Sequence, residues 1–515
     1  MDEVDDILDQ DPNVVEEEEE EEEDDEMEIE EEENDEDENE EGDGDGDEEE
    51  DEEEGEDEGN EEEPAMDKTH SQTQGDKDSP APMDKLHHYY LSMLQSAKIA
   101  STYNIYPTAA IPIQTHVNAM TVSKGLKYLF LGGSDGYIRK YDFLNTLQGK
   151  LSLTIIQKHS LTESVTNAGI LTGYWANEMP QYEREVTMVG KSDYQPVVSP
   201  VYSLAVEDEC MYMLSGLKNG GIAMQGVRYM EGSIIHYFKE HTQVVNLLRF
   251  NQGQDKFMSG SWDKRIIEWD LQAGGKVCNE FKGNNSEISS MEYRPLFSSV
   301  DITKRHGEED DIESLFGDDE EEEEEEEIGV KNNLAEEISS TSLNMVYDET
   351  TLMTSGLNGV VHIWDKRDST KPMVTLERGA GTPPWCMSAT WDSNTGDKIY
   401  VGRRNAHVEA YDLKMATSQP TAALKLPSIS GPVSCVRSMP NGKHLLVASR
   451  DNIRLFDTLS DSNSSNFLIV PGHHGGVVSN LYVDPTCRYL VSTSGDRGWQ
   501  GHATDTVLVY DVDLE

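Results

Sequence analysis

Between His241 and Asp270 four polar side chains recur at intervals that suit a single hydrogen-bonded cluster: His241, Ser259, Asp263 and Trp269. An aspartate in a tight turn accepts backbone N–H bonds. A histidine, a hydroxyl and an indole N–H at these spacings can join it in one buried network that fixes the turn.

The elements that must position them are legible on either side. HTQVVNLLRF (241–250) and FMSGSWDKRIIEWD (257–270) read as an apolar strand opening on a histidine, followed by two strands joined by a tight turn and closed by a Trp-Asp pair. This is the signature of one WD-repeat propeller blade, which is stable only when repeated, because alone it leaves sheet faces and edges uncovered. Copies with the turn Asp or Asn six residues before an aromatic occur at Asp135 to Tyr141, Asn358 to Trp364 and Asn405 to Tyr411. Their leading strands are assigned to HVNAMTV, SLNMVYD and WCMSATW. SRDNIRLFD (to Asp457), TDTVLVYD (to Asp511) and a worn copy at 201–226 bring the count to seven.

The fold class is therefore all-β, a seven-bladed WD-repeat propeller over residues 103–515. Asp365 to Asp412 spans 47 residues and Asp412 to Asp457 spans 45, close to the ~40–45 of one blade. Asp270 to Asp365 spans 95, read as one blade carrying an insertion at about 300–337. ISSMEYR (288–294) is an alternative first strand there and leaves the insertion's position open. In the first blade KLSLTIIQKH reads as the outer strand and SLTESVTNAGILTGYWANE as a helical excursion. The chain stops just after Asp511 without an outer strand for the last blade. YPTAAIPIQ (106–114) is the expected donor that closes the ring, since an edge strand tolerates Pro112.

Of 103 acidic residues, residues 1–63 hold 44 and residues 308–327 hold 15, both without a single Lys or Arg; the remainder carries 44 acids against 40 bases. The folded body is near neutral, and the charge belongs to a disordered acidic arm with its linker (1–83) and an acidic insertion, which self-repel and cannot fold alone. Specific DNA binding and membrane binding are disfavoured, and basic proteins are the expected targets. Two acidic islands carry bulky apolar residues: Val4, Ile7 and Leu8, and Ile312, Leu315 and Phe316. Each is either a segment that folds onto a basic, partly apolar partner or solvated tail. Residues 84–102 read as an amphipathic helix striped by Leu86, Tyr90, Leu94 and Ala97, docking a partner or packing on the propeller's flank.

Loops joining second and third strands gather on one propeller face. There fall Trp262, Lys264, Arg265, Arg403, Arg404 and Arg450, with Arg497 and Trp499 in the enlarged loop SGDRGWQGHATD. Aromatics and arginines carry interface energy most often, although Arg403 and Arg450 could instead pair with neighbouring acids. The five cysteines are scattered without a CxxC pair, so neither a metal site nor a disulfide framework is expected. No P-loop, GxSxG or HExxH occurs, no cofactor is implied, and the chain is read as non-enzymatic.

Particular strings go beyond the blade consensus: MDEVDDIL, YNIYPTAAIPIQTHVNA, GLKYLFLGGSDGYIRKYD, QGVRYMEGSI, LPSISGPVSC and RGWQG. With these the chain resembles the Spt-class WD-repeat subunits of the fungal SAGA transcriptional coactivator. The resemblance implies a nuclear, non-enzymatic subunit, monomeric within a hetero-complex. It also implies binding to TATA-binding protein, regulated delivery of that protein to promoters, and a place beside a histone-fold subunit. An acidic histone-binding or chaperone propeller is the alternative reading.

Overall fold

The computed structural model describes residues 82–154, 157, 165–181, 188–189, 193–296, 347–415, 418–450, 452–459, 467–473, 476–495 and 505–515. These residues form seven antiparallel sheets arranged as blades, and a two-stranded ribbon. The inner strands, in ring order, are Val117–Val122, Ser203–Val206, Val245–Phe250, Ile288–Pro295, Ala389–Trp391, Cys435–Ser438 and Val478–Val483. Each touches the next, and the seventh returns to the first.

The aromatic that ends each repeat motif explains why the blades adhere. Trp269 of the third blade stacks on Phe257 at 5.7 Å and meets Phe238 of the second blade edge-on at 5.4 Å. Trp364 of the fourth meets Phe281 of the third at 5.6 Å. Trp269, Trp364, Tyr411 and Tyr510 are among the largest fully buried side chains. The apolar cores thus lie between blades, where each sheet covers its neighbour's face.

In the seventh blade Tyr103–Pro112 lies antiparallel to Thr506–Leu514, from Tyr103 opposite Leu514 to Pro112 opposite Thr506. The register slips between Pro107 and Ala109, so one proline sits at an irregularity and the other at the strand's end, where a missing N–H costs least. Asn167–Ala168 adds a short parallel strand outside it.

Two assignments made from sequence are corrected. The first blade's outer strand is Ile170–Ala176, inside the segment read as helical, and not KLSLTIIQKH. Its Trp175 is buried and donates its indole N–H to Gln225 of the second blade at 2.8 Å, which anchors the strand. The fourth blade's inner strand is Ile288–Pro295, which pairs with Tyr347–Gly356; SLNMVYD does not supply it. The acidic run 308–327 therefore falls, in sequence, between the first and second strands of that blade. Residues 1–81, which hold most of the acidic arm, and 297–346 lie outside the described residues.

The helix Pro82–Ile99 runs into the seventh blade. Ala97 is buried in the cluster that also holds Tyr103, Cys487 and Tyr510. The Tyr103 hydroxyl donates to the Ala97 carbonyl at 2.8 Å and accepts from the Asn441 N–H at 3.1 Å, tying helix end, closing strand and sixth blade together.

Candidate functional site

The cluster around Trp269 is assembled as a relay. Asp263 Oδ2 lies 2.9 Å from His241 Nδ1, His241 Nε2 lies 2.7 Å from Ser259 Oγ, and the Trp269 indole N–H donates to that oxygen at 2.8 Å. The carboxylate accepts the hydrogen bond from Nδ1–H, leaving Nε2 to accept from Ser259. Asp263 also accepts from the backbone N–H groups of Thr242 and Arg265. Burial pushes the carboxyl upward, but the bond to His241 and these N–H donors outweigh it and hold it below the usual carboxylate range. Everything about this cluster braces a turn inside the blade.

The second blade solves the same problem with other residues. Ser215 and Asn219 stand where Ser259 and Asp263 do, while Gln225 takes the tryptophan's place and Asn177 the histidine's. Ser215 donates to Asn177 Oδ1 at 2.8 Å and Gln225 Nε2 donates to the same atom at 3.2 Å.

On the face of the turn loops, Lys264, Arg404 and Arg450 are exposed. Trp262 is half-buried, edge-on to Tyr202 at 5.7 Å, and the Arg404 guanidinium lies 5.6 Å from the Trp385 ring centre. Arg265 is spent within its own blade, on Glu280 at 2.7 Å and the Glu240 carbonyl at 2.8 Å. Arg403 corrects the expectation of a contact surface, because its side chain is fully buried. Its Nε donates to Glu409 at 2.7 Å, its Nη1 to the Gly359 carbonyl at 2.6 Å and its Nη2 to the Tyr411 hydroxyl at 2.8 Å. A guanidinium with these partners has no charge to offer a ligand. Val4, Ile7, Leu8, Ile312, Leu315, Phe316, Arg497 and Trp499 lie outside the described residues.

The opposite face holds what sequence reading missed. There the inner strands end around the mouth of the central channel, a cavity of about 630 Å³ to which every blade contributes, from Lys124 in the first to Tyr482 in the seventh. Arg249, Glu292, Thr390, Arg437 and Tyr482 occupy one register. Each sits opposite the second-strand residue just before the position that Ser259 holds in its blade. Arg437 pairs with Glu292 and donates from Nε to the Leu481 carbonyl at 3.0 Å. Enclosure by the channel, and then the nearby Arg437, push the Arg249 guanidinium downward, while Glu292 and Tyr347 oppose them. The signal was available: NLLRF, SSMEYR and SCVRS each place a charge in the channel-facing alternation of an inner strand.

Chemistry is sparse elsewhere. Among the described residues no group of three or more His, Cys, Asp or Glu could hold a metal ion, and no helix is long and apolar enough to cross a membrane. Four cysteines are buried and Cys278 is exposed.

These blades, the aromatics that close the turn motif in six of them and the closed ring define a seven-bladed WD-repeat propeller. Among solved structures, the RRP9 WD40 repeats match at a TM-score of 0.51 and 14% identity, covering 80% of this chain and 100% of that one, a likeness of fold alone. A family model described as the SPT8 beta propeller matches residues 103–513. The SAGA complex subunit SPT8 of Saccharomyces cerevisiae is 61% identical over 460 residues, 84% of this chain and 76% of its own length. The SAGA complex subunit Spt8 of Schizosaccharomyces pombe is 39% identical over 447 residues, 81% of each. The chain belongs to the SPT8 family of propellers.

Proposed function

We infer that this chain is a non-enzymatic subunit of a SAGA-type transcription coactivator, working in the nucleus, and that it binds TATA-binding protein and regulates its delivery to promoters. Membership of a family whose relatives are SAGA complex subunits carries the reading, because the match spans the propeller from residue 103 to 513. Two features support it. The propeller offers Trp262, Lys264, Arg404 and Arg450 on one face and a cavity on the other, surfaces suited to docking. The acids concentrated in residues 1–63 and 308–327 suit a basic partner and oppose bare DNA. Other subunits of the same complex, a histone-fold subunit among them, are the expected neighbours.

The test is a salt-titrated binding assay of the full chain, and of residues 85–515, against TATA-binding protein and against histone dimers. Selective binding to TATA-binding protein that persists in the shorter chain supports the delivery role and puts the main contact outside the N-terminal acidic arm. Equal binding to both proteins that vanishes with the acidic arm would overturn it in favour of a histone-binding propeller.

A further inference from the structure

Among the described residues, one charged side chain at the channel mouth has no partner. Lys124 pairs with Asp208 at 2.8 Å, and Arg437 pairs with Glu292. Glu349 accepts from the Gln252 N–H at 2.6 Å, and Asp484 accepts from the Thr486 N–H at 3.1 Å. Arg249 is left, its side chain with no hydrogen bond or close ion pair among the described residues, although it shares the cavity with Arg437 and Glu292. Beside it the wall is aromatic, formed by Phe250, Tyr347, Trp391 and Tyr482. A guanidinium open to a cavity and flanked by rings selects a carboxylate next to a bulky apolar side chain.

The chain carries such a segment, and both of its attachments stand at this cavity. The inner strand of the fourth blade ends at Pro295 and the second strand begins at Tyr347, and both residues line the mouth. The intervening sequence contains DIESLFGDD at 311–319, where Ile312, Leu315 and Phe316 stand among acids. Fifteen residues lie between Pro295 and Asp311, a reach of up to about 50 Å when extended. A segment tethered at the rim meets the cavity at an effective concentration on the order of millimolar, so modest contacts suffice to hold it.

We propose that the channel mouth is a docking site for residues 311–319 of the same chain, in which Arg249 receives an acidic side chain and the aromatic wall receives Leu315 or Phe316. The propeller thereby binds its own acidic insertion, and a partner that engages the insertion must first draw it out of the channel.

The experiment uses a fluorescein-labelled peptide of residues 308–320 and the full chain, read by fluorescence anisotropy with no other protein present. Its outcome is thus independent of TATA-binding protein. The full chain carrying Ile312→Ser, Leu315→Ser and Phe316→Ser is expected to bind the peptide at least tenfold more tightly than the parent, whose own segment competes. Adding Arg249→Ala to that variant should weaken binding at least tenfold, and Arg249→Lys in its place should recover part of it, separating loss of charge from loss of fold. Equal affinity for parent and triple variant, failure of the triple variant to bind, or indifference to Arg249→Ala would each overturn the proposal.

Discussion

Arg403 shows how a residue's type can mislead about its role. An arginine in a turn loop reads as a surface contact, yet here it bridges the fourth and fifth blades through Gly359, Glu409 and Tyr411. Burial pushes the Glu409 carboxyl upward, but the Arg403 charge, with bonds from Thr382 and Tyr411, more than offsets this and holds it low. Arg403→Ala strands that carboxylate and is expected to cost about 3–5 kcal/mol, whereas replacing both partners by Met and Leu should recover most of the loss. Urea unfolding of the two variants checks it. Asp263 gives a second prediction, with its sign set by linkage. Its depressed pKa adds stability that is fully present above the ordinary aspartate range and is lost as pH falls through the folded-state value. Asp263→Asn should therefore destabilise at pH 7 by about 1–3 kcal/mol. It should also flatten the acid limb of the stability profile, as thermal melts between pH 7 and pH 3 would show.

At the scale of elements, the motif-bearing hairpins were legible because their turn acid and closing aromatic are fixed by contacts inside one blade, as with Asp263 and Trp269. The first blade's outer strand was not, because what holds it lies in the next blade. Nothing in ILTGYWA itself announces that Trp175 will find Gln225. The second blade's network escaped notice because Asn177 and Gln225 replace the consensus types while keeping the geometry. The channel charges were visible as alternation in single strands, but their meeting depends on seven strands of different sequence ending at one mouth. The strand Tyr103–Pro112 yields a prediction at this scale. It buries Tyr103, Ile105 and Ile111 against the chain's last strand, each worth about 1.5–3 kcal/mol when buried. Deleting residues 103–112 should lower the melting temperature sharply and, by freeing a sheet edge, produce concentration-dependent oligomers in sedimentation. A deletion variant that melts like the parent and stays monomeric would show that the ring does not need this strand.

For the whole molecule the governing asymmetry is electrostatic: a body with 44 acids against 40 bases joined to two segments holding the other 59 acids. Charge of that kind acts at a distance and leaves packing alone, so it bears on encounter rather than on fold. Removing residues 1–63 should leave the melting temperature of the propeller unchanged, because among the described residues its buried clusters draw their side chains from residue 97 onward. The association rate with TATA-binding protein, the partner proposed above, should respond instead. The screening length is about 30 Å at 0.01 M salt and about 10 Å at 0.1 M. The full chain should therefore associate on the order of tenfold faster than the truncated one at low salt, with the two rates converging as salt rises. Dissociation rates should differ little if the lasting contacts belong to the propeller, since steering charges act mainly on the encounter. Stopped-flow measurements at several ionic strengths separate the two. A truncation that slows association equally at every salt concentration would mean that the arm makes a specific contact, and its apolar residues Val4, Ile7 and Leu8 would then be the first to replace.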